Sequence, residues 1–217
     1  MPNGTETLYP IKQFNFKHTD AETNINYVWR YMYEAIANDN LLLGYIDDHK
    51  DMRHYALLKG EALGLRAYMH IDLLRLFGPQ TTNGSAKAIP YRTEYNNKLV
   101  HIMTVDEVMQ ATEKDLLEAY DLLKDDPIKT VGRRNIDLTN YDAGIAEDFR
   151  GSRMNYYAVC GTLARLYMLM GQKQKAAPFP RRSSSRPRTN CSRPACATGN
   201  STATSSCLSS RNRANAL

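Results

Sequence analysis

This 217-residue chain has no long apolar run, no cluster of histidines and none of three common catalytic or nucleotide-binding motifs. No run reaches 18 apolar residues, so no segment is suited to cross a membrane as a helix. The first residues have neither a basic region nor an apolar stretch, and they predict no secretory signal. A nucleophile elbow, a Walker loop and a dinucleotide fingerprint are also absent. These absences together argue against an enzyme.

The sequence has few residues that could bind a metal ion or form a set of disulfides. The five histidines form no ligand pair except the loosely spaced His49 and His54, whereas zinc needs three or four convergent ligands. Three of the four cysteines fall after residue 190, which leaves only Cys160 in patterned sequence. We therefore expect no metal and no cofactor. The acidic pairs at residues 47–48 and 125–126 are interpreted as solvated helix caps.

Acidic residues are absent from residues 178–217, which carry seven arginines and no lysine. Residues 1–177 therefore hold 21 basic residues (28 less 7) and all 23 acidic ones, a net charge of −2 against +5 for the whole chain. The basic character belongs to the tail alone, so global charge does not indicate a nucleic-acid partner. A salt-sensitive nucleic-acid binder acting through the tail is a disfavoured alternative, because Phe179 is its only aromatic residue.

Four segments with a helical apolar period are present, and they predict an all-α fold. We place them at about residues 20–38, 51–77, 104–124 and 153–170. Trp29 lies on the apolar stripe of the first, which favours core packing over a sugar platform. Glu61 and Arg66 in the second are interpreted as structural, either a buried pair or surface charges. Gly78 is expected to end this helix in a left-handed conformation.

Inward-facing stripes are predicted for the last three segments. The second is expected to bury Leu58, Ala62, Leu65, Met69, Leu73 and Leu76. The third opens with the capping box Thr104–Glu107 and is expected to bury Val105, Val108, Thr112, Leu116, Ala119 and Leu123. The fourth is expected to bury Tyr156, Val159, Cys160, Leu163, Leu166, Tyr167 and Met170.

The fourth segment matches the first half of a tetratricopeptide repeat. Leu163, Ala164, Tyr167, Gly171 and Ala176 have the required spacing, which predicts a partner helix starting near residue 174. Instead, the sequence continues with a tail rich in Ser and Arg that has no apolar period. Its composition predicts disorder. We therefore divide the chain into a helical part, residues 1–177, and a tail, residues 178–217.

An ordered set of short motifs carries a family resemblance. It comprises Trp29-x3-Tyr33-x2-Ile36-x-Asn38, KGEALGLRAY at 59–68, DLLRLFGP at 72–79, AIPYRTEY at 88–95, TVDEV at 104–108, DLLEA at 115–119, NYYAV at 155–159 and LARLY at 163–167. In this order and spacing the motifs resemble the RagB/SusD family of Bacteroidetes nutrient-binding lipoproteins. The resemblance covers residues 6–177, and family members are far longer.

The resemblance implies tetratricopeptide-like repeats and a glycan- or nutrient-binding role at the outer face of the outer membrane. It implies a lipid anchor, which we expect to lie outside this sequence, and delivery of the ligand to a SusC-like TonB-dependent transporter without covalent chemistry. A generic helical-repeat scaffold for a protein partner is the alternative.

The tail has a specific explanation as a hypothesis. Family members continue this repeat with a helix containing Ala-Glu-Val-Ile, and a shifted reading frame of compatible codons from residue 178 encodes that sequence. We therefore predict a truncated chain, out of frame after about residue 177. The coding DNA tests this directly.

Residues 79–103 form the best binding candidate, because long loops in helical proteins are often functional. Aromatic faces and paired hydrogen-bonding groups suit sugars, and this loop holds both. The predicted ligand-binding residues are Tyr91, Arg92, Tyr95 and Asn96, followed by Asn97. The alternative is that the loop merely docks onto the helices.

Overall fold

The computed structural model of the chain describes residues 9–130, 146–147 and 149–179. Within these residues it consists of helices and loops, with one isolated backbone bridge between Lys87 and Thr104 and no strand. The predicted all-α class is confirmed. The α-helices of this part are α1 (Tyr9–Lys12), α2 (Thr19–Ile46), α3 (Tyr55–Phe77), α4 (Val105–Leu122), α5 (Tyr156–Leu169) and α6 (Lys173–Ala176). The predicted tail lies outside the described residues from residue 180 onward.

Helix α2 extends eight residues beyond its predicted end at residue 38. The Asn-Asp-Asn run from Asn38 resembles a helix stop, because these side chains compete for backbone hydrogen bonds. Asn40 is instead buried, and its side-chain amide donates to the carbonyl oxygen of Arg92 at 3.1 Å. The helix therefore continues, and Leu43 and Ile46 join the core. A tertiary hydrogen bond outweighs local propensity here.

Helix α3 lies between α2 and α4 and also contacts α5. Two glycines allow this close packing. A Cβ on Gly60 would lie 2.7 Å from the Cγ of Leu123, and one on Gly64 would lie 2.7 Å from the Cγ of Met154. Both separations are shorter than a normal carbon contact, so neither position has room for a side chain.

The predicted inward stripe of α3 is wrong at two positions, and Leu58 and Met69 on it are only half-buried. Leu65 is 39% exposed and Leu76 is 63% exposed, whereas Leu57, Leu63 and Ile71 are buried. Because neighbouring elements cover α3 on several sides, apolar residues occur almost all round it. A 3.6-residue period then cannot identify one buried face.

Helix α3 ends at Phe77 as predicted, but Gly78 does not adopt the left-handed conformation expected for it. Its φ of −81° and ψ of 170° are extended and not left-handed, and its Cβ would lie 2.5 Å from the carbonyl oxygen of Leu74. Glycine is required there for close approach. The left-handed conformation occurs at Gly171, with φ of 72°, after the end of α5.

Helix α4 matches its prediction throughout. Thr104 and Glu107 form the capping box, in which each side chain accepts from the other residue's backbone N–H. All six predicted inward residues are buried. A 3-10 turn, Leu123–Asp125, completes the segment.

Helices α5 and α6 form the start of the predicted repeat. All predicted inward residues of α5 are buried except Met170, which is half-buried. Helix α6 begins one residue before the expected position, and Ala176 on it is 4% exposed. The ring of Phe179 stacks on that of Tyr167 with 5.8 Å between centroids.

A buried charge network attaches the segment before α5 to the other helices. Arg150 is fully buried and pairs with Glu61 on α3 and with Asp126 after α4. Arg153 also donates to Glu61, at 2.9 Å. The interpretation of the second acidic pair as solvated caps is therefore wrong for Asp126, whose partner lies 24 residues further along the chain. Asp125 is exposed.

Candidate functional site

The loop at residues 79–103 is closed at its base by backbone hydrogen bonds. The N–H of Ala88 donates to the carbonyl of Met103 at 2.8 Å, and the N–H of Met103 donates to Ile89 at 3.2 Å. The side chain of Ile89 is buried in the core. Residues 89–103 of the loop therefore begin and end at one point and project from it as a unit.

Side chains from α2 hold the centre of this loop. The hydroxyl of Tyr33 donates to the carbonyl of Pro90 at 2.8 Å, and the amide of Asn40 donates to that of Arg92 at 3.1 Å. Both bonds reach backbone oxygens more than 50 residues away in sequence. They fix the loop's main chain against the helix.

Beneath the loop, Arg66 of α3 and Asp115 of α4 form a buried bidentate ion pair. The Nε and Nη2 atoms of Arg66 donate to the two carboxylate oxygens at 2.7 and 2.8 Å. The hydroxyl of Tyr91 donates to the same carboxylate at 2.6 Å, and Nη1 of Arg66 donates to Asn40 at 2.9 Å. Glu61 is also buried but has other partners, because residues five apart lie about 140° apart around a helix.

His70 of α3 completes the contacts to the loop. Its ring stacks on that of Tyr91 with centroids 3.8 Å apart. Nδ1 lies 2.8 Å from the carbonyl oxygen of Arg66, so it carries the hydrogen, and Nε2 accepts the backbone N–H of Arg92 at 3.1 Å. Burial lowers the pKa of His70 to about 3, which keeps the ring neutral in this role.

Arg92 braces the tip of the loop. Its Nη1 donates to the carbonyl of Lys98 at 2.7 Å, and its Nη2 donates to the carbonyl of Asn96. The side-chain oxygen of Asn96 accepts the N–H of Lys98 at 3.0 Å, and its amide donates to Glu94 at 2.7 Å. These bonds close the segment 92–98 into a compact turn.

A cleft of about 670 Å³ lies between this turn and α2. Its aromatic side chains are Trp29, Tyr33 and Tyr95, and Tyr95 is 59% exposed. Its polar side chains include Glu34, Asn96 and Asn97. The cleft thus places aromatic side chains beside carboxylate and amide groups, and a volume of this size suits a small organic ligand.

Three of the four predicted ligand-binding residues line this cleft: Arg92, Tyr95 and Asn96. Tyr91 does not line it, because its side chain is 4% exposed and points to Asp115. Sequence reasoning missed the α2 side of the cleft. Trp29 packs at 5.0 Å against Phe77, as predicted for a core residue, but also lines the cleft. An aromatic residue at the edge of an apolar stripe is the signal that could have indicated this.

A second cleft, of about 850 Å³, lies between the start of α3 and the end of α4. Its lining includes several charged residues, among them Arg53, Glu118, Asp121 and Lys124, and Tyr55 is the only Tyr, Trp or Phe among the described residues there. It lacks the group of aromatic side chains that lines the first cleft. We therefore treat the first cleft as the candidate site.

Comparison with known proteins places the chain in a family. A family model described as starch-binding and associating with the outer membrane, SusD-like, matches residues 5–137. The chain belongs to the SusD-like family. No curated protein matches this SusD-like chain.

Solved structures similar to the SusD-like chain share its helical, tetratricopeptide-like fold. One is a SusD superfamily protein from Bacteroides thetaiotaomicron, at 23% identity and a TM-score of 0.57 over 73% of this chain and 31% of that one. Another is a putative sugar-binding protein from Bacteroides vulgatus, at 24% identity and 0.57 over 72% and 32%. A laminarin-binding SusD-like protein has 20% identity and 0.52 over 73% and 29%. The chain spans about a third of their length.

Other features of the described part bear on the chemistry of this SusD-like chain. None of its described helices is both long and apolar enough to cross a membrane. Among the same residues, no group of three or more His, Cys, Asp or Glu side chains is placed to hold a metal ion.

Proposed function

We propose that this chain binds a glycan in the cleft between α2 and the loop at residues 79–103. The observation that carries the proposal is the pairing of Trp29 and Tyr95 with Asn96, Asn97 and Glu34 around one opening. Flat aromatic rings suit the apolar face of a pyranose, and carboxylate and amide groups hydrogen-bond its hydroxyls. Membership of the SusD-like family supports the same ligand class.

The four predicted residues have different roles in this proposal. Tyr95 supplies an exposed ring and Asn96 a hydrogen-bonding amide, while Arg92 lines the cleft and braces the turn. Tyr91 supports the loop from below. Each role is a binding or supporting role and involves no covalent step, so the proposed protein is a binding protein and not an enzyme.

Trp29 is the only tryptophan of the chain, which makes its fluorescence a direct probe of the cleft. We expect laminari- or malto-oligosaccharides to change this fluorescence saturably in the full chain, with matching heat in isothermal titration. Tyr95→Ala removes an exposed ring from the cleft, and we expect it to weaken binding about tenfold, or about 1.4 kcal/mol.

Tyr27→Ala is the matched control for this titration. Tyr27 is 46% exposed on α2 and does not line the cleft. Binding by Tyr27→Ala should equal that of the wild type. If both variants lose affinity equally, or if no oligosaccharide perturbs Trp29, the cleft is not the glycan site.

We further propose that the protein belongs to an uptake system of the outer membrane and delivers glycan to a SusC-like TonB-dependent transporter. The description of the family as associating with the outer membrane supports this location. Co-purification of the chain with a SusC-like transporter from the same cells tests the partnership. A scaffold for an unrelated protein would bind its partner but leave Trp29 unchanged by oligosaccharides.

A further inference from the structure

The polar side chains under the loop form a defined group, which we call the anchor cluster: Asn40, Arg66, His70, Tyr91 and Asp115. Each of the five is less than 9% exposed. They come from α2, α3, the loop and α4. Asn40, Arg66 and His70, together with Tyr33, bond to the backbone of residues 90–93. Tyr91 and Asp115 bond to each other within the cluster. This backbone directly precedes Tyr95 and Asn96 of the cleft.

Stability alone is a weak explanation for the anchor cluster. A buried ion pair often contributes no more to the stability of the fold than well-packed apolar residues would, because both charges must leave water. An apolar floor could dock the loop equally well. The cluster instead directs hydrogen bonds to individual backbone atoms, such as the N–H and carbonyl oxygen of Arg92. Directional bonds set position, which non-directional apolar contact does not.

A fixed position of the loop matters for ligand binding, because ordering a loop of this length costs conformational entropy. If the loop were unfixed, a ligand would have to order it on binding, and affinity would fall by that entropy. Asn40 connects the anchor cluster to the cleft, because it belongs to the cluster and also lines the cleft. The bonded network thus extends from the Arg66–Asp115 ion pair to the cleft wall.

We propose that the anchor cluster is a positioning device that presets the loop for glycan binding, with Tyr91 and Asp115 as positioning residues. This inference rests on the proposed glycan site. Tyr91 acts through its hydroxyl on Asp115 and through its ring on His70, which holds the N–H of Arg92. Loss of one bond in the cluster should therefore loosen residues 92–97 without removing any group from the cleft.

Tyr91→Phe removes the hydroxyl bond to Asp115 and keeps the ring that stacks on His70. We expect this variant to bind oligosaccharide about tenfold more weakly, as measured by Trp29 fluorescence and titration calorimetry. The binding entropy should become less favourable. Hydrogen exchange at the amides of residues 92–97 should accelerate in the free protein and slow again when glycan is bound.

Tyr167→Phe is a matched control within the chain. Tyr167 is 4% exposed, as is Tyr91, and its hydroxyl also donates to a carboxylate on α4, Glu113, at 2.8 Å. It lies outside the cleft lining. This variant should lose similar stability while keeping wild-type affinity and wild-type exchange at residues 92–97. Asp115→Asn, which breaks the bidentate pair, should reproduce the Tyr91→Phe exchange pattern.

Each outcome of these measurements either supports or overturns the positioning role of the anchor cluster. Weaker binding and faster exchange in Tyr91→Phe alone support the positioning role. Equal affinities in Tyr91→Phe and the wild type, or equal losses in Tyr91→Phe and Tyr167→Phe, overturn it and leave the proposed function intact. No binding by the wild-type chain overturns the proposed function, and this inference with it.

Discussion

Two titratable side chains, one on α2 and one on α3, have pKa values that burial shifts in opposite directions. Burial raises the pKa of Asp39 to about 7, against the opposing charge of Arg66, and the Oδ2 atom of Asp39 is buried without a hydrogen bond among the described residues. Burial lowers the pKa of His70 to about 3. Both shifts disfavour the charged form, which is the ordinary result of desolvation.

The signs of the two effects on stability are opposite. The folded state holds a proton on Asp39 that the unfolded state releases, so stability falls as pH rises from about 4 to 7. The unfolded state protonates His70 below its ordinary pKa of 6.5, so stability falls as pH drops from about 6.5 toward 3. Between about pH 4 and 6.5 the two contributions oppose each other.

Asp39→Asn should separate these contributions. At pH 8 the variant should melt at a higher temperature than the wild type, because it buries no carboxylate charge. As the pH falls from 6.5 to 4, the variant should lose more stability than the wild type. The reason is that proton uptake by Asp39 no longer offsets the destabilising effect of His70. Thermal melts across pH measure both effects.

Asp48→Asn controls for the loss of one acid, because Asp48 is exposed just beyond the end of α2. Its pH profile should follow that of the wild type. Parallel profiles for Asp39→Asn and the wild type would show that the Asp39 carboxyl does not change its protonation on folding.

At the scale of elements, glycine packing decides how closely α3 approaches its neighbours. A Cβ at Gly60 would meet Leu123 Cγ at 2.7 Å and Leu122 Cβ at 3.3 Å, at the end of α4. We expect Gly60→Ala to lower the free energy of unfolding by about 1–2 kcal/mol, because overpacking exceeds the gain in helix propensity. Urea denaturation measures this change.

Gly161→Ala is the paired control in α5. A Cβ there meets nothing within 4 Å, so only the helix propensity of alanine remains. This variant should be more stable by about 0.5–1 kcal/mol. Stabilisation by both substitutions would mean that the contact at Gly60 relaxes without cost.

Elements that interact on one face could be predicted from the sequence, and those that interact on several could not. Helix α4 has a single buried stripe and a local capping box, so period and spacing are enough to define it. Helix α3 is buried on several sides, and Leu65 and Leu76 were assigned to the wrong face. The end of α2 depends on the bond from Asn40 to Arg92, which joins residues 52 apart.

The candidate site, like the helices, could be predicted only in part. The loop could be recognised as a binding candidate from its length and composition, and Tyr95 and Asn96 line the cleft. Tyr91 could not be separated from them by sequence, because its burial depends on Asp115 and His70 from two other helices. The contribution of Trp29 depends equally on where the loop meets α2.

At the scale of the whole chain, α2 has an outward face that nothing covers within the described residues. Tyr27, Tyr31, Leu41 and Tyr45 on this face are each at least 46% exposed. A shallow groove of about 440 Å³ runs along its second half, beside Leu42. Grouped exposed apolar side chains mark surfaces that associate, whereas single ones are ordinary.

We expect this face to make the isolated chain self-associate. The apparent mass by sedimentation should rise with protein concentration, and a Leu41→Lys, Tyr45→Lys double variant should abolish the rise, because it places two like charges on the groove. Met168→Lys serves as the control, since Met168 is 55% exposed on α5, away from this groove. A concentration-independent monomer, or equal effects of the double variant and Met168→Lys, would rule out the α2 face as the associating surface. The exposed apolar area would then have to be tolerated in water as scattered side chains are.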